Sequence, residues 1–163
     1  MYLIRLMMIV ALLPGAAHAL PDDRNQPIEL AADSVDIDEG RGVSVYRGDV
    51  DLRQGSIRLL ADTVTVHQQG DEPKKVIAEG NPVRFTQEAT NGTVKARAKR
   101  AEYEVDSENL LLVGDAELTQ GKDTMRSDRI VYDRERAVVK AGAAASGKQR
   151  VRITIQPRNK DGK

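Results

Sequence analysis

Apolar and polar residues alternate along much of this 163-residue chain, and the alternation slips by one residue at four places. Such alternation is typical of β-strands with one buried face. Each slip directly follows a small side chain, at Asp33, Asp62, Lys99 and Asp128. A slip of one residue turns every later side chain to the other face, so a strand that keeps one face buried must bend there. The pattern therefore predicts four corners in a wound antiparallel sheet.

A second regularity is a repeat marked by Gly48, Gly80 and Gly114, which lie 32 and 34 residues apart and each open a predicted strand. Units of strand and turn with this period bury their apolar faces by stacking on one another. Turn signals such as Gln54-Gly55 fall between the strands, and Asn91-Gly92 predicts a type I′ hairpin turn. No segment shows a convincing helical period. We therefore predict an all-β fold, a single antiparallel β-jellyroll or an incompletely closed β-taco.

The N-terminal residues 1–19 have the pattern of a cleaved secretory signal peptide. Arg5 precedes the uninterrupted apolar run Leu6–Leu13, and Ala17-His18-Ala19 is a small-x-small cleavage site. The alternative is a transmembrane anchor, but a membrane-spanning helix needs about 20 apolar residues. The predicted organisation is a signal peptide at residues 1–19, mobile tails at 20–26 and 157–163, and one domain at 27–156.

Composition excludes several kinds of chemistry. The chain has no Cys, which excludes thiolate metal sites, iron–sulfur clusters and cysteine nucleophiles. After residues 1–19 are removed, His67 is the one remaining histidine, and we interpret it as a solvated residue where a strand meets a turn. The 25 basic and 25 acidic residues lack the basic excess that nucleic-acid binding requires. We expect no metal, no cofactor and no nucleic-acid partner.

Three segments resemble the OstA-like family of periplasmic lipopolysaccharide-transport proteins: Gln26–Asp33, Tyr46–Asp62 and Leu112–Gly121. The resemblance extends over residues 26–156, and Lys99 departs from the Asp at the other corners. Because the leader is short and cleavable, we expect the free-standing LptA type and not the membrane-anchored LptC type. The resemblance implies a periplasmic, V-shaped β-jellyroll whose open apolar interior binds the lipid A part of lipopolysaccharide.

The resemblance also implies partners at both membranes. These are an inner-membrane extractor complex with its LptC-type protein, and an outer-membrane translocon with its LptD-type N-terminal domain. Copies of the chain would stack head to tail into a bridge between them. An incompletely closed roll leaves unpaired edge strands that can add a strand from another chain. The predicted edge residues are Ile28, Leu30, Val151, Ile153 and Ile155.

An aliphatic groove would shield acyl chains, since each CH₂ removed from water gains about 0.8 kcal/mol. It would do so without directional bonds, so a lipid could slide along it. The predicted lipid-binding residues share the inward parity of their strands, and Phe85 and Tyr103 are the bulky members. The set is Ile28, Leu30, Val35, Ile37, Val50, Leu52, Ile57, Leu59, Val64, Val66, Val83, Phe85, Tyr103 and Val105. The alternative for each is ordinary packing in a β-core.

Other interpretations stay open. The basic cluster Lys95, Arg97, Lys99 and Arg100 can contact lipid phosphates, although its parity favours a solvated outer face. A ligand-free β-solenoid scaffold is the alternative to a lipid carrier. A periplasmic hydrolase would need paired carboxylates inside the roll, whereas most Asp and Glu residues fall at turns or on the outward parity. We therefore predict a carrier with no catalytic residues.

Overall fold

The computed structural model describes residues 23–90, 92–136 and 138–157. The predicted signal peptide, and residues 20–22 and 158–163 of the predicted tails, lie outside these residues. Within them, no helix combines the length and the apolar character that a membrane span requires.

Ten antiparallel strands form one continuous sheet in the described chain. The neighbour order is β1-β3-β4-β5-β6-β7-β8-β10, with β2 paired to β3 and β9 paired to β8. The strands are β1 (Ile28–Ala31), β2 (Ser34–Asp38), β3 (Val43–Gln54), β4 (Ile57–Gln69), β5 (Glu72–Gln87), β6 (Val94–Glu104), β7 (Asn109–Gln120), β8 (Asp123–Asp133), β9 (Val138–Ala141) and β10 (Arg152–Thr154). Short 3₁₀ turns occupy Asp23–Asn25 and Gly142–Ala145. The all-β prediction is confirmed.

The six long strands β3–β8 bend where their pairing register shifts, and the bends divide the sheet into two halves. We call the half that contains β1 and β10 the first half-sheet, and the half that contains β2 and β9 the second. The first half-sheet also holds residues 50–54, 57–60, 83–87, 94–97, 116–120 and 123–127. The second holds residues 43–47, 63–69, 72–79, 100–104, 109–113 and 129–133.

All four predicted corner residues lie at these bends. Asp62 accepts a hydrogen bond from the backbone N–H of Asn81 at 3.2 Å. Asp128 accepts one from the backbone N–H of Lys148 at 2.7 Å, and this bond lowers the pKa of the Asp128 carboxyl. The short side chains therefore stabilise backbone groups that the register shift leaves outside the ladder.

The glycines of the repeat lie inside strands, so the prediction that they open strands is wrong. Gly48, Gly80 and Gly114 fall within β3, β5 and β7 at the bends. Gly48 and Gly114 have φ of +82° and +81°, and Asp49 and Asp115 after them also have positive φ. Two successive left-handed residues turn the strand without ending it, so one strand crosses both half-sheets.

The core lies on the inner face of both half-sheets. Val50, Val64, Val83, Leu112 and Ile130 are at most 1% exposed. Directly paired residues of neighbouring strands point to the same side, so the predicted change of parity at each corner keeps one face inward throughout. The aliphatic and alanine-rich composition of the chain is thus concentrated on this face.

The outer face carries charge. On β3, Asp51 accepts hydrogen bonds from Arg53 Nη2 at 2.8 Å and from Arg58 Nη2 at 2.9 Å. The Arg58 guanidinium, followed by that of Arg53, holds the pKa of the Asp51 carboxyl well below its usual range. The alternation of the sequence is therefore an alternation between an apolar interior and an ion-paired exterior.

Two local predictions need correction. His67 lies within β4, paired with Val43 and Lys75, and is half-buried instead of occupying a turn. The hairpin between β5 and β6 exists, but its connection runs from residue 88 to 93 and is longer than a type I′ turn. Gly92 donates its N–H to the Ala89 carbonyl at 3.0 Å, while Asn91 lies outside the described residues.

Candidate functional site: an apolar cavity between two lips

The hairpin connections lie along the free edges of the two half-sheets. We call residues 54–57, 87–90, 92–94 and 120–123 the first lip, because they join strands at the edge of the first half-sheet. Residues 69–72, 104–109 and 133–136 form the second lip at the edge of the second half-sheet. The interior of the roll opens between these lips.

A cavity of about 670 Å³ lies between the half-sheets. It falls within the range of roughly 300–1,000 Å³ that is common for ligand sites in proteins. The first half-sheet contributes Leu52, Ile57, Leu59 and Phe85, and the second half-sheet with its lip contributes Val76, Tyr103, Val105, Leu110 and Tyr132. Because apolar side chains from both half-sheets line it, the cavity can hold hydrocarbon out of water without directional bonds.

Half of the predicted lipid-binding residues line this cavity. They are Ile28, Leu52, Ile57, Leu59, Phe85, Tyr103 and Val105. Val50, Val64 and Val83 are buried in the core instead, and Leu30 and Val66 are half-buried against it. For these five residues the structure shows core packing. The role of the lining residues in lipid binding stays a prediction.

Val35 and Ile37 lie outside the cavity and are 48% and 62% exposed. They pair with Tyr46 and Ser44 of β3, and Ser44 is buried. The two apolar side chains therefore keep the inward parity. They are exposed because β2 is an edge strand, with no further described strand beside it.

Sequence reasoning missed several lining residues. Leu110 belongs to the run Leu110–Val113, which does not alternate and so has no visible parity. Tyr132 shares the even parity of Ile130 and would have been found by extending that pattern through β8. Arg134 was missed because a charged residue does not suggest an apolar interior.

Arg134 is the cation of the cavity lining that the structure describes, and only 9% of its side chain is exposed. It follows β8 on the second lip. Its Nη1 donates to the Tyr103 hydroxyl at 2.8 Å, and its guanidinium carbon lies 5.3 Å from the centre of the Tyr103 ring. Its Nε donates to Gln87 Oε1 at 3.1 Å, and Gln87 is on the first lip. Arg134 therefore joins the two lips across the mouth of the cavity.

Gln87 is held in place by the N-terminal turn. Its Nε2 donates to Asp23 Oδ2 at 3.2 Å. Asp23 is only 7% exposed and also accepts hydrogen bonds from the Ser56 N–H at 2.6 Å and the Ser56 hydroxyl at 2.8 Å. The turn is thus fastened to the first lip, and the carboxylate orients the Gln87 amide toward Arg134.

The predicted basic cluster lies on the outer face and does not line the cavity. Its members are Lys95, Arg97, Lys99 and Arg100. Arg97 pairs with Glu117 at 3.3 Å, and Lys99 pairs with Asp115 at 2.8 Å, which raises the pKa of Lys99. Carboxylates thus compensate much of the charge of the cluster, in agreement with the alternative of a solvated outer face.

The two ends of the sheet carry exposed apolar side chains. In the described chain, the exposed large apolar residues all lie on or beside the four terminal strands. One end presents Ile28, Val35 and Ile37, and the other presents Val138, Val151, Ile153 and Ile155. The strands β1 and β10 stand at the two ends of the strand order, and association through them stays a prediction.

Titratable groups do not assemble into a metal site among residues 23–90, 92–136 and 138–157, since no three His, Asp or Glu residues there are placed to share an ion. The carboxylates of the cavity lining are Asp23 and Glu88 at the first lip, where Glu88 accepts a hydrogen bond from the Thr93 hydroxyl at 3.1 Å, and Glu108 at the second lip. Asp23 is hydrogen-bonded to Ser56 and Gln87, and Glu108 lies 4.0 Å from Arg134. Because these carboxylates already have partners at the lips, the apolar side chains of the interior are the groups that would contact an acyl chain.

Comparison with known proteins agrees with this geometry. Residues 29–138 match the family model described as LptA/(LptD N-terminal domain) LPS transport protein. The chain is 37% identical over 158 residues to the lipopolysaccharide export system protein LptH of Pseudomonas aeruginosa, covering 92% of this chain and 90% of that protein. It is 33% identical over 152 residues to the export system protein LptA of Haemophilus influenzae, covering 91% of this chain and 87% of that protein.

A solved structure is similar as well. The crystal structure of LptH, the LptA homologous periplasmic component of the lipopolysaccharide transport device of Pseudomonas aeruginosa, superposes with a TM-score of 0.76 at 35% identity. The match covers 84% of this chain and all of that one. The family model spans the corners and most of the cavity, and the relatives extend the similarity over nearly the whole chain. The chain therefore belongs to the LptA/LptD N-terminal domain family of lipopolysaccharide transport proteins.

Proposed function

We propose that this chain is a periplasmic carrier that holds the lipid A part of lipopolysaccharide in the cavity and passes it toward the outer membrane. The observation that supports this most directly is the apolar lining that two half-sheets share in a member of a lipopolysaccharide transport family. At about 0.8 kcal/mol per CH₂, an acyl chain of a dozen carbons loses about 10 kcal/mol on exposure to water. A cavity without convergent polar groups in its depth removes that cost. It also leaves the acyl chain free to slide along the lining.

The carrier is proposed to be non-enzymatic. A hydrolase would need an acid and a base held near the scissile bond of its substrate. The lining carboxylates Asp23 and Glu88 lie at the first lip and Glu108 lies at the second, and each already has a hydrogen-bond or ion-pair partner. Transfer of a lipid needs only a path of low barriers, which the aliphatic lining supplies.

Head-to-tail association is the second part of the proposal. The exposed Ile28 and Ile37 lie at one end of the sheet, and Ile153 and Ile155 lie at the other. Pairing the β10 end of one copy with the β1 end of the next would bury these side chains and continue the sheet. The interiors of the two copies would then adjoin, so a lipid could move from one to the next.

The same edges are proposed to meet the membrane partners. The family model includes the N-terminal domain of LptD, so the LptD-type partner carries a domain of the same family. Such a domain can continue the sheet as a further copy would. By the same reasoning, an LptC-type protein of the inner membrane would take the opposite end, and the chain would act in the periplasm.

Photo-crosslinking tests the lipid site. A photoreactive phenylalanine at Phe85 or at Tyr132 points inward, whereas the same residue at Arg84 or Val131 points outward one position away. We expect lipopolysaccharide to be labelled from Phe85 and Tyr132 and not from the two matched controls. Equal labelling from all four positions would indicate non-specific contact. Absence of labelling from the inner positions would favour a ligand-free scaffold.

A further inference from the structure

A polar pair bridges the mouth of the cavity, whose interior is lined by apolar side chains. Arg134 extends from the second lip and Gln87 from the first, and their hydrogen bond of 3.1 Å joins the two lips. An acyl chain that enters between the lips at these two residues would have to pass this hydrogen bond. We propose that the Arg134–Gln87 hydrogen bond is a latch, which must open before acyl chains enter or leave the cavity from the side; this rests on the proposed carrier function.

Each half of the latch is anchored on its own lip. Arg134 is hydrogen-bonded to the Tyr103 hydroxyl at 2.8 Å, and its backbone N–H donates to the Glu108 carbonyl at 3.1 Å. Gln87 is oriented by Asp23 at 3.2 Å. When the bond between the lips breaks, both groups therefore keep their local partners. The latch can close again without a search for its geometry.

A polar latch also makes opening reversible. Two apolar lips in contact would resist separation in proportion to the apolar area that opening exposes to water. A guanidinium and an amide exchange their mutual hydrogen bond for bonds to water, which offsets most of its energy. Even so, a hydrogen bond from a charged donor shifts an equilibrium by a factor of about ten or more. The latch thus favours the closed mouth without locking it.

Three variants test the latch. Arg134→Met keeps an unbranched side chain and removes the donor, and Gln87→Leu removes the acceptor while leaving the charge in place. Arg136→Met is the matched control, since Arg136 is in the same turn but its side chain is 73% exposed and pairs with Asp133. Because the loss of a buried cation can perturb folding, thermal unfolding is measured for each. If Arg134→Met does not fold, the Gln87→Leu variant alone tests the latch.

The first readout is the rate at which the variants take up lipid A that carries a fluorophore on its sugar headgroup. We expect Arg134→Met and Gln87→Leu each to speed uptake about tenfold. The double variant should be no faster than the faster single one, because both remove the same bond. Arg136→Met should match the unmodified protein. Uptake at the unmodified rate in both latch variants would overturn the proposal.

The second readout does not need lipid. The chain contains no cysteine, so spin labels on Lys122→Cys and Asp106→Cys report only the distance between the first and second lips. In the latch variants we expect a longer or broader distance distribution than in the unmodified protein and in Arg136→Met. An unchanged distribution would overturn the latch. If unmodified protein binds no lipid A, the carrier function fails, and this distance measurement alone decides whether the latch exists.

Discussion

The backbone N–H of Asp33 donates to the carbonyl oxygen of Gly48 at 3.0 Å, and Gly48 has a φ of +82°. A Cβ atom added to Gly48 would overlap the Asp33 carboxylate. This contact fixes the corner at which the chain passes from β1 to β2 beside the bend of β3. It joins two residues that are far apart in sequence, so it depends on the native register of the sheet.

Gly48→Ala should destabilise the fold by about 3 kcal/mol or more. It adds a steric overlap at the corner to the strain of about 1–2 kcal/mol for a side chain at positive φ. Gly70→Ala is the matched control, since Gly70 has φ +61° and no heavy atom within 4 Å of an added Cβ. It should cost only the strain. Urea unfolding measures both, and equal costs would show that the corner contact does not contribute.

Filling the cavity should weaken lipid binding while the fold persists. Val76 is half-buried and lines the cavity, so Val76→Trp places an indole in the space available to acyl chains. We expect a loss of lipid A affinity of about tenfold, since overpacking typically costs 1–3 kcal/mol. Fluorescence titration measures the affinity.

The matched control for the filled cavity is Ile77→Trp, one residue along β5 on the outer face. It should leave the affinity near that of the unmodified protein. If the two tryptophans lower affinity equally, the cavity is not where the lipid binds.

Charge on the terminal edge should prevent association between copies. Ile153 and Ile155 are 54% and 73% exposed at the β10 end. We expect the unmodified chain to form longer species as its concentration rises, and the double variant Ile153→Lys/Ile155→Lys to stay monomeric, because lysine on an edge strand disfavours strand addition. Sedimentation velocity over a concentration series measures this.

The control for the edge is Leu111→Lys/Val113→Lys, which places the same two charges on the outer face of β7, away from the terminal strands. It should associate as the unmodified chain does. Persistence of oligomers in the double edge variant would contradict the edge model.

Acid should weaken the fold in part through Asp51. The pKa of the Asp51 carboxyl is lowered in the folded state by Arg58 and Arg53, whereas the unfolded chain has the ordinary value of 3.8. The unfolded state therefore binds a proton first as the pH falls, and the stability that this carboxylate contributes above pH 3.8 is lost progressively below it. Guanidinium unfolding between about pH 6 and 2 measures the loss.

Arg58→Met should flatten this pH dependence, because it removes the largest cause of the lowered pKa. Lys95→Met removes another cation of the outer face and should leave the profile as it is. If Arg58→Met and the unmodified protein lose stability in parallel, the Asp51 ion pair does not carry the effect.

Much of the fold could be predicted because alternation and slip are local. The apolar residues of β4 change from odd positions, at Ile57 and Leu59, to an even position at Val64, and the strand bends between them. The length of the strands was not predictable in the same way. Gly48 and Gly114 look like strand beginnings, and only the pairing of the neighbouring strands shows that the ladder resumes beyond them.

The candidate site was less accessible from sequence. Phe85 and Tyr103 were found because their parity points inward. Arg134 was not, since its burial depends on Gln87 and on Tyr103, whose proximity arises only when the two half-sheets face each other. Contacts between lips are long-range, and no local pattern encodes them.

The two exposed ends of the sheet are unlike each other: one is built from β1 and β2 and the other from β9 and β10. A row of copies joined through such ends has a direction, because each contact pairs one kind of end with the other kind. Reversing one copy would bring like edges together and interrupt the row. Such a row would carry in its own structure the distinction between the membrane that supplies lipid and the membrane that receives it.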